Sequence, residues 1–251
     1  MTAPIVLVHG IRLPATMWRP HVRRLTPDFH VRTPDLPGHG TRAARPFTLD
    51  GAVAAVHEAV LEAREATGRR PLLLGLSLGG YVSLAHTARH PDDVAALVLH
   101  GCTARTDGPL PALYAALGRA FDRLGPERAA ALNARVLRRA LPAESADAVL
   151  AGGLTMPAFG QAVAELRRTD FLPLARELTT PTLYLNGRAD LPFRADERRF
   201  HAATRHSRLF HTPGGHLLAL QHPARFATLI RRAHHTLLPG DTRETFGTRT
   251  S

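Results

Sequence analysis

Pro71-Leu72-Leu73-Leu74-Gly75-Leu76-Ser77-Leu78-Gly79-Gly80-Tyr81 is the stretch on which the reading of this chain turns. Its first half is a short apolar run, the pattern of a buried strand. Leu78 to Arg89 has helical patterning and stops before Pro91. The join is a G-x-S-x-G pattern. A turn that tight forces the serine into a strained backbone conformation. It also drives the residues two before and two after it together, so both must be small, and Gly75 and Gly79 are. The serine oxygen then projects above the sheet at a helix N-terminus, where free N–H groups favour a developing anion. Ser77 is therefore the candidate nucleophile. The plainer reading, an inert serine in a Gly-rich turn, is disfavoured by the strand before it and the helix after it.

Outward from this turn, strands and helices alternate. Ile5 to Val8 reads as a strand ending at His9-Gly10, and Met17 to Leu25 as a helix. Phe29 to Thr33 is a strand that runs into the loop Asp35-Leu36-Pro37-Gly38-His39-Gly40. Leu49 to Ala66 is a helix with Gly68 as its C-cap. Val94 to Leu99 is a fourth strand. Thr182 to Leu185 and Arg208 to His211 are two more, with helices over 194–203 and 226–237. Strands separated by helices pair in parallel with helices on both faces. The expected fold class is α/β, a mainly parallel sheet of about six strands. Between residues 104 and 178 only helical patterns occur, including Leu113, Leu117, Phe121 and Leu124, then Leu132, Val136 and Leu137. The expected organisation is a core of residues 1–103 and 179–238, a helical cap over 104–178 and a flexible tail over 239–251. The cap leaves the sheet at the C-terminal end of a strand, the edge where ligand sites of open α/β sheets lie, so it is placed to act as a lid.

A serine hydroxyl needs a neighbouring base. The chain has 15 histidines, so position must choose among them. Thr212-Pro213-Gly214-Gly215-His216 follows the last strand and precedes the last helix, and its glycines let the loop turn back over the sheet. His216 is the candidate base, with His9 and His100 as competitors at other strand ends. Asp190, just past the fifth strand, is the candidate for the carboxylate that orients the imidazole, with Asp196 as runner-up. Serine, aspartate and histidine come in the chain order expected when a G-x-S-x-G turn heads the triad.

Composition narrows the classes further. The formal charge is +11, and all 32 basic residues are arginine. They are scattered singly and in pairs, without a long basic run, which points away from a nucleic-acid partner. The absence of lysine excludes Schiff-base chemistry and a P-loop. One cysteine, Cys102, excludes an intramolecular disulfide and a cysteine zinc cage and fits a reducing, cytoplasmic compartment. The apolar runs are too short for a membrane span, and no signal peptide is read at the N-terminus. No metal motif is found, and no cofactor is expected.

His9-Gly10, the 35–40 loop, the Ser77 turn, Asn186-Gly187-Arg188-Ala189-Asp190 and Gly214-Gly215-His216, in that order, resemble the α/β-hydrolase superfamily from Pro4 to Leu238. The resemblance implies an oxyanion hole formed by the backbone N–H groups of Leu78 and of Ile11, in the loop after His9-Gly10. It also implies that the helical insertion is the family's cap. The expected chemistry is hydrolysis of an ester-like bond, of the carboxylesterase or lactonase type, in a small and mainly apolar substrate. Carbon–carbon bond hydrolysis and cofactor-free perhydrolysis use the same triad and are the alternatives. A ligand-binding protein that keeps the fold without turnover is the alternative of another class. Candidate pocket residues are Trp18, Leu113, Tyr114, Leu117, Met156, Phe159 and Leu217.

Overall fold

Six strands form one sheet in the computed structural model, which describes residues 2–106, 126–155 and 157–241. They are β1 (Ala3–Val8), β2 (Phe29–Arg32), β3 (Leu72–Leu76), β4 (Ala96–His100), β5 (Thr182–Gly187) and β6 (Ser207–Thr212). The order across the sheet is β2-β1-β3-β4-β5-β6 and every neighbouring pair is parallel. Parallel neighbours require crossovers, and a sheet covered on both faces must be apolar on both. The central strands β1, β3 and β4 obey this residue by residue. Val6 and Val8 of β1, Leu73 of β3, and Leu97 and Leu99 of β4 enter one core. Ile5 and Leu7, Leu72 and Leu74, and Val98 enter the other. Alternate side chains of a strand point to opposite faces, so continuous apolar runs are what this sheet needs.

The helices α1 (Arg19–Leu25) and α10 (Pro223–Leu237) pack together on one face; α2 (Leu49–Thr67) and α3 (Leu78–Arg89) cover the other. Thr48 caps α2 by accepting from the N–H of Gly51, and Gly68 ends it at φ 67°. Between β4 and β5 lie α4 (Pro126–Ala140), α5 (Ala143–Gly152), α6 (Pro157–Arg167) and α7 (Phe171–Glu177). After β5 come α8 (Glu197–Ala203) and, after β6, the short α9 (Leu218–Gln221). No helix among the described residues is long and apolar enough to cross a membrane.

Three local departures from the sequence reading have clear causes. The helix expected from Met17 begins as a 3-10 turn, Ala15–Trp18, and becomes α-helical only at Arg19. Pro20 has no N–H and fits only the first turn of a helix. The helix expected at Arg194 starts at Glu197 instead, after a 3-10 turn over Pro192–Arg194. The helix expected over 226–237 starts earlier, at Pro223, and a short helix, Leu218–Gln221, precedes it, separated at His222, which comes before Pro223 and takes φ −137° and ψ 64°.

Trp18, expected in the pocket wall, is instead fully buried in the core beneath the sheet. Its ring stacks on Phe226 at 6.1 Å and meets His21 edge-on at 4.9 Å. The 3-10 turn rotates it inward, and a large amphipathic ring gains most from full burial. The expected tail from 239 begins with a 3-10 turn over Pro239–Asp241; residues 242–251 lie outside the described residues.

Candidate active site

β1 and β3 are adjacent while β2 lies on the far side of β1, so the chain leaves the ends of β1 and β3 in opposite directions. Ligand sites of open sheets form at such a point. β3 ends at Leu76 and α3 begins at Leu78, which leaves Ser77 alone to make the turn, at φ 53° and ψ −116°. Its N–H donates to the carbonyl of His100, 2.8 Å away, pinning the turn to β4. A Cβ on Gly75 would lie 2.2 Å from the carbonyl oxygen of Gly79, and one on Gly79 would lie 2.5 Å from that of His9. A Cβ on Gly80 would meet the sulfur of Cys102 at 2.4 Å. The turn is thus wedged between β1 and the segment after β4. Burial pushes the Cys102 thiol far above its usual range, so it stays protonated and unreactive.

His216 reaches this serine. Its Nε2 is 3.0 Å from Ser77 Oγ and its Nδ1 is 2.8 Å from Asp190 Oδ2. A carboxylate only accepts, so the ring proton sits on Nδ1 and Nε2 is free to accept from the serine. Asp190 is 3% exposed, and Gly101 lies so close that a Cβ there would be 2.9 Å from the His216 ring. Phe193 stacks on His216 with centroids 3.9 Å apart and planes at 18°. Asp196, the alternative acid, is turned away: its oxygens accept from the N–H of Arg105 and from Arg199.

The loops that carry these groups share a buried polar clamp that sequence reasoning missed. Asn186 Oδ1 accepts from the N–H of Gly101, and its Nδ2 donates to Thr103 and to Glu197. Glu197 also accepts from Arg194 and His211. Burial alone would raise the Glu197 carboxyl, but these three partners outweigh it and hold the group down at about 2. The clamp joins the ends of β4 and β5 to β6. Its members are far apart in sequence and follow no pattern, so no local signal announces them. Phe193 likewise carries no mark beyond its nearness to Asp190.

The loop after β1 is fixed by two neutral imidazoles. His9 Nδ1–H donates to Gly10 O, and its Nε2 accepts from the N–H of Leu36 at 3.0 Å. His39 Nδ1–H donates to Pro37 O, and its Nε2 accepts from the N–H of Arg12 at 3.1 Å. Asp35 accepts from the N–H groups of Ala15 and Thr41. The 35–40 loop is therefore a brace for the His9-Gly10 loop. Arg12, at φ 67°, and Ser77 are the two non-glycine residues with positive φ among the described residues, and strain of this kind persists only where neighbours enforce it. The N–H groups of Ile11 and Leu78 have no protein acceptor among the described residues. His100, the other competitor, donates from Nδ1 to Leu185 O and does not reach Ser77.

These buried imidazoles predict acid sensitivity. Burial, reinforced by His39, lowers His9 to about 3, and burial lowers His100 to about 4. Each is protonated more readily in the unfolded chain, whose histidines titrate near the ordinary 6.5. Their contribution to stability is full above about pH 6.5 and is lost as the pH falls toward their folded values. Tm measured by calorimetry is expected to decline steadily from about pH 7 to about pH 4.5. A flat profile across that range would mean that these rings are protonated in the fold.

Above Ser77 opens a cavity of about 310 Å³. Leu13, Leu76, Leu78 and Tyr81 line it from the core; Val136 and Leu137 of α4 and Phe159, Val163 and Leu166 of α6 line it from the helical insertion. Val136 is 54% exposed, an apolar residue at the cavity rather than in a packed core. Phe159 and Leu217 line the cavity. Leu113, Tyr114, Leu117 and Met156 lie outside the described residues. Arg12 adds a link from the β1 loop to the insertion, donating to Asn133 of α4 at 2.9 Å.

A parallel sheet with a strained serine turn, an imidazole and a carboxylate at its C-terminal edge is the architecture of a hydrolase. The chain belongs to the alpha/beta hydrolase family, whose model matches residues 5–229. It is 29% identical over 242 residues to the pimeloyl-(acyl-carrier protein) methyl ester esterase of Neisseria meningitidis, spanning 90% of this chain and 91% of that one. Its structure is similar to that of a thermophilic esterase from Thermogutta terrifontis, with a TM-score of 0.73, 25% identity and coverage of 94% and 91% of the two chains. In fold it also matches an enol-lactonase from Burkholderia xenovorans, with a TM-score of 0.72, 22% identity and coverage of 93% and 91%.

Proposed function

We propose that this protein is a serine carboxylic-ester hydrolase in which Ser77 attacks, His216 carries the proton and Asp190 holds His216. The observation that carries this reading is the pair of hydrogen bonds, 2.8 Å and 3.0 Å, linking the three side chains beside an apolar cavity. Ser77 Oγ bonds to the ester carbon as its proton passes to His216 Nε2. The carbonyl electron pair moves onto oxygen, where the N–H groups of Ile11 and Leu78 serve as fixed donors. His216 then gives the proton to the departing alcohol, leaving an acyl group on Ser77. A water molecule, deprotonated by His216, attacks this acyl group, and the proton returns to Ser77 as the acid leaves. Asp190 stays ionised throughout and stabilises the imidazolium.

The acyl chain occupies the apolar cavity, with residues 104–178 as the cap above it; the side chains that α4 and α6 present to the cavity support both statements. The Neisseria relative's name, a methyl ester esterase, supports a small leaving alcohol. The single buried cysteine supports a reducing, cytoplasmic setting.

A fluorophosphonate probe is expected to label the protein once and to leave Ser77→Ala unlabelled. With nitrophenyl esters of increasing acyl length, kcat/KM should rise by up to about fourfold per added methylene until the cavity is full. Label retained by Ser77→Ala would overturn the nucleophile. A labelled protein that turns over no ester would overturn the substrate class.

A further inference from the structure

Three histidines gather at the far end of α3, away from the cavity. His86 and His90 lie one helical turn apart at its C-terminal end, and His57 meets them from α2. The rings of His57 and His90 stack, with centroids 4.1 Å apart and planes at 21°. His57 Nδ1 is 3.3 Å from His86 Nε2. Asp93, in the 3-10 turn Pro91–Asp93 that follows, brings its Oδ2 to 3.9 Å from His57 Nδ1. One ring nitrogen each from His57 and His90 and one carboxylate oxygen of Asp93 all lie within 4.8 Å of one another.

We propose that His57, His90 and Asp93 form a site for one divalent transition-metal ion of the zinc class, with a fourth position open to solvent.

The donor set is right for such an ion: two imidazole nitrogens and a carboxylate oxygen suit zinc and its neighbours and suit magnesium poorly. Tetrahedral zinc holds its ligands at about 2.0 to 2.2 Å, so the donor atoms must close to about 3.4 Å from one another. This takes shifts of about an ångström and a rotation of the stacked His57 and His90 rings, and all three side chains are only half-buried, on the rim of the fold.

The surroundings supply what a metal site needs around its ligands. His86 is fully buried, and its one side-chain hydrogen bond, to His57 Nδ1, holds the His57 ring in the cluster. Arg64 holds Asp93 by Oδ1 at 2.6 Å and leaves Oδ2 for the ion. The C-terminal end of α3 carries the negative end of the helix dipole, which favours a cation there. α3 has 12 residues, so the site is about 18 Å along it from Ser77. An ion there touches no reacting atom. It ties α2 to α3, the helix whose first turn carries the nucleophile.

The test uses untagged protein stripped with a chelator. Calorimetric titration with zinc chloride is expected to give one ion per chain. A hundredfold excess of zinc over Kd should raise Tm by about 5 to 10 °C. Magnesium chloride should do neither. His90→Gln and Asp93→Asn should each lose the binding and the Tm rise while keeping the circular dichroism and ester hydrolysis of the parent. His216→Ala should keep the ion, which separates this site from the imidazole at Ser77. Cobalt in place of zinc should give the intense visible bands of a four-coordinate ion, lost in His90→Gln. Stoichiometric binding that survives in both His90→Gln and Asp93→Asn would overturn the proposal. So would the absence of both heat and Tm shift in the parent at millimolar zinc.

Discussion

Asp190→Asn is expected to lower kcat by about four orders of magnitude and to leave Tm almost unchanged. The two side chains have the same shape, and Asp190 is buried at 3% exposure in a pocket already fitted to it. What changes is the proton. The carboxylate accepts from His216 Nδ1–H at 2.8 Å, which leaves Nε2 bare opposite Ser77 Oγ. An asparagine that turns its NH2 toward Nδ1 makes that nitrogen the acceptor. The ring proton then moves to Nε2, and the base faces the serine with its only lone pair blocked. The imidazolium formed during attack also loses its buried counter-charge. Asp196→Asn is the control. Its oxygens serve the N–H of Arg105 and the guanidinium of Arg199, so kcat should stay within about threefold of the parent, as for a surface pair worth under about 1 kcal/mol. Steady-state rates on a nitrophenyl ester decide the matter. A loss of less than about tenfold in Asp190→Asn would remove it from the relay.

What the sequence disclosed and what it withheld divide along a physical line. The Ser77 turn was legible because its requirement is local: two small residues flanking one strained residue, between a strand and a helix. Gly214-Gly215-His216 and Asp190 were legible because each follows an apolar strand directly, so the sheet edge fixes where they start. The pocket wall was not legible, because it depends on which face of each helix points at the cavity. Leu137 and Phe159 point there while Trp18, apolar and near the same edge, turns into the opposite core. The Asn186–Glu197 clamp was hidden for a stronger reason. It brings Gly101, Thr103, Asn186, Arg194, Glu197 and His211 together from three strand ends, and nothing in the spacing of those letters measures the distance between strands. The 35–40 loop lies between these cases. Its glycines and prolines marked it as a loop, yet its task, to hold Arg12 N–H through His39, emerges only when β1 and β2 pair.

Gly75→Ala is expected to destabilise the protein by about 3 kcal/mol or more, the upper end for overpacking, and so to lower Tm by about 6 to 12 °C. The added methyl would lie 2.2 Å from Gly79 O, 2.5 Å from Gly79 C and 2.6 Å from Gly80 Cα, all backbone atoms that no rotamer can move. Nor can the strand give way. Gly75 pairs with Val8 of β1 on one side and with Leu99 of β4 on the other. The helix is no freer. Gly79 already sits against the carbonyl oxygens of His9 and Val8, where a Cβ would be at 2.5 and 2.6 Å. The one relief is for α3 to lift from the sheet, and that carries Ser77 away from His216 Nε2. A displacement of about an ångström costs about a hundredfold in rate, so the folded fraction should lose kcat by at least that factor. Gly160→Ala gives the opposite sign. It lies on the exposed face of α6 with no atom within 4 Å of a new Cβ, so better helix propensity should stabilise by about 0.5 to 1 kcal/mol without touching kcat. A Gly75→Ala protein that melts and turns over like the parent would mean that the serine turn is not wedged at all, and that the strain at Ser77 is held by some other contact.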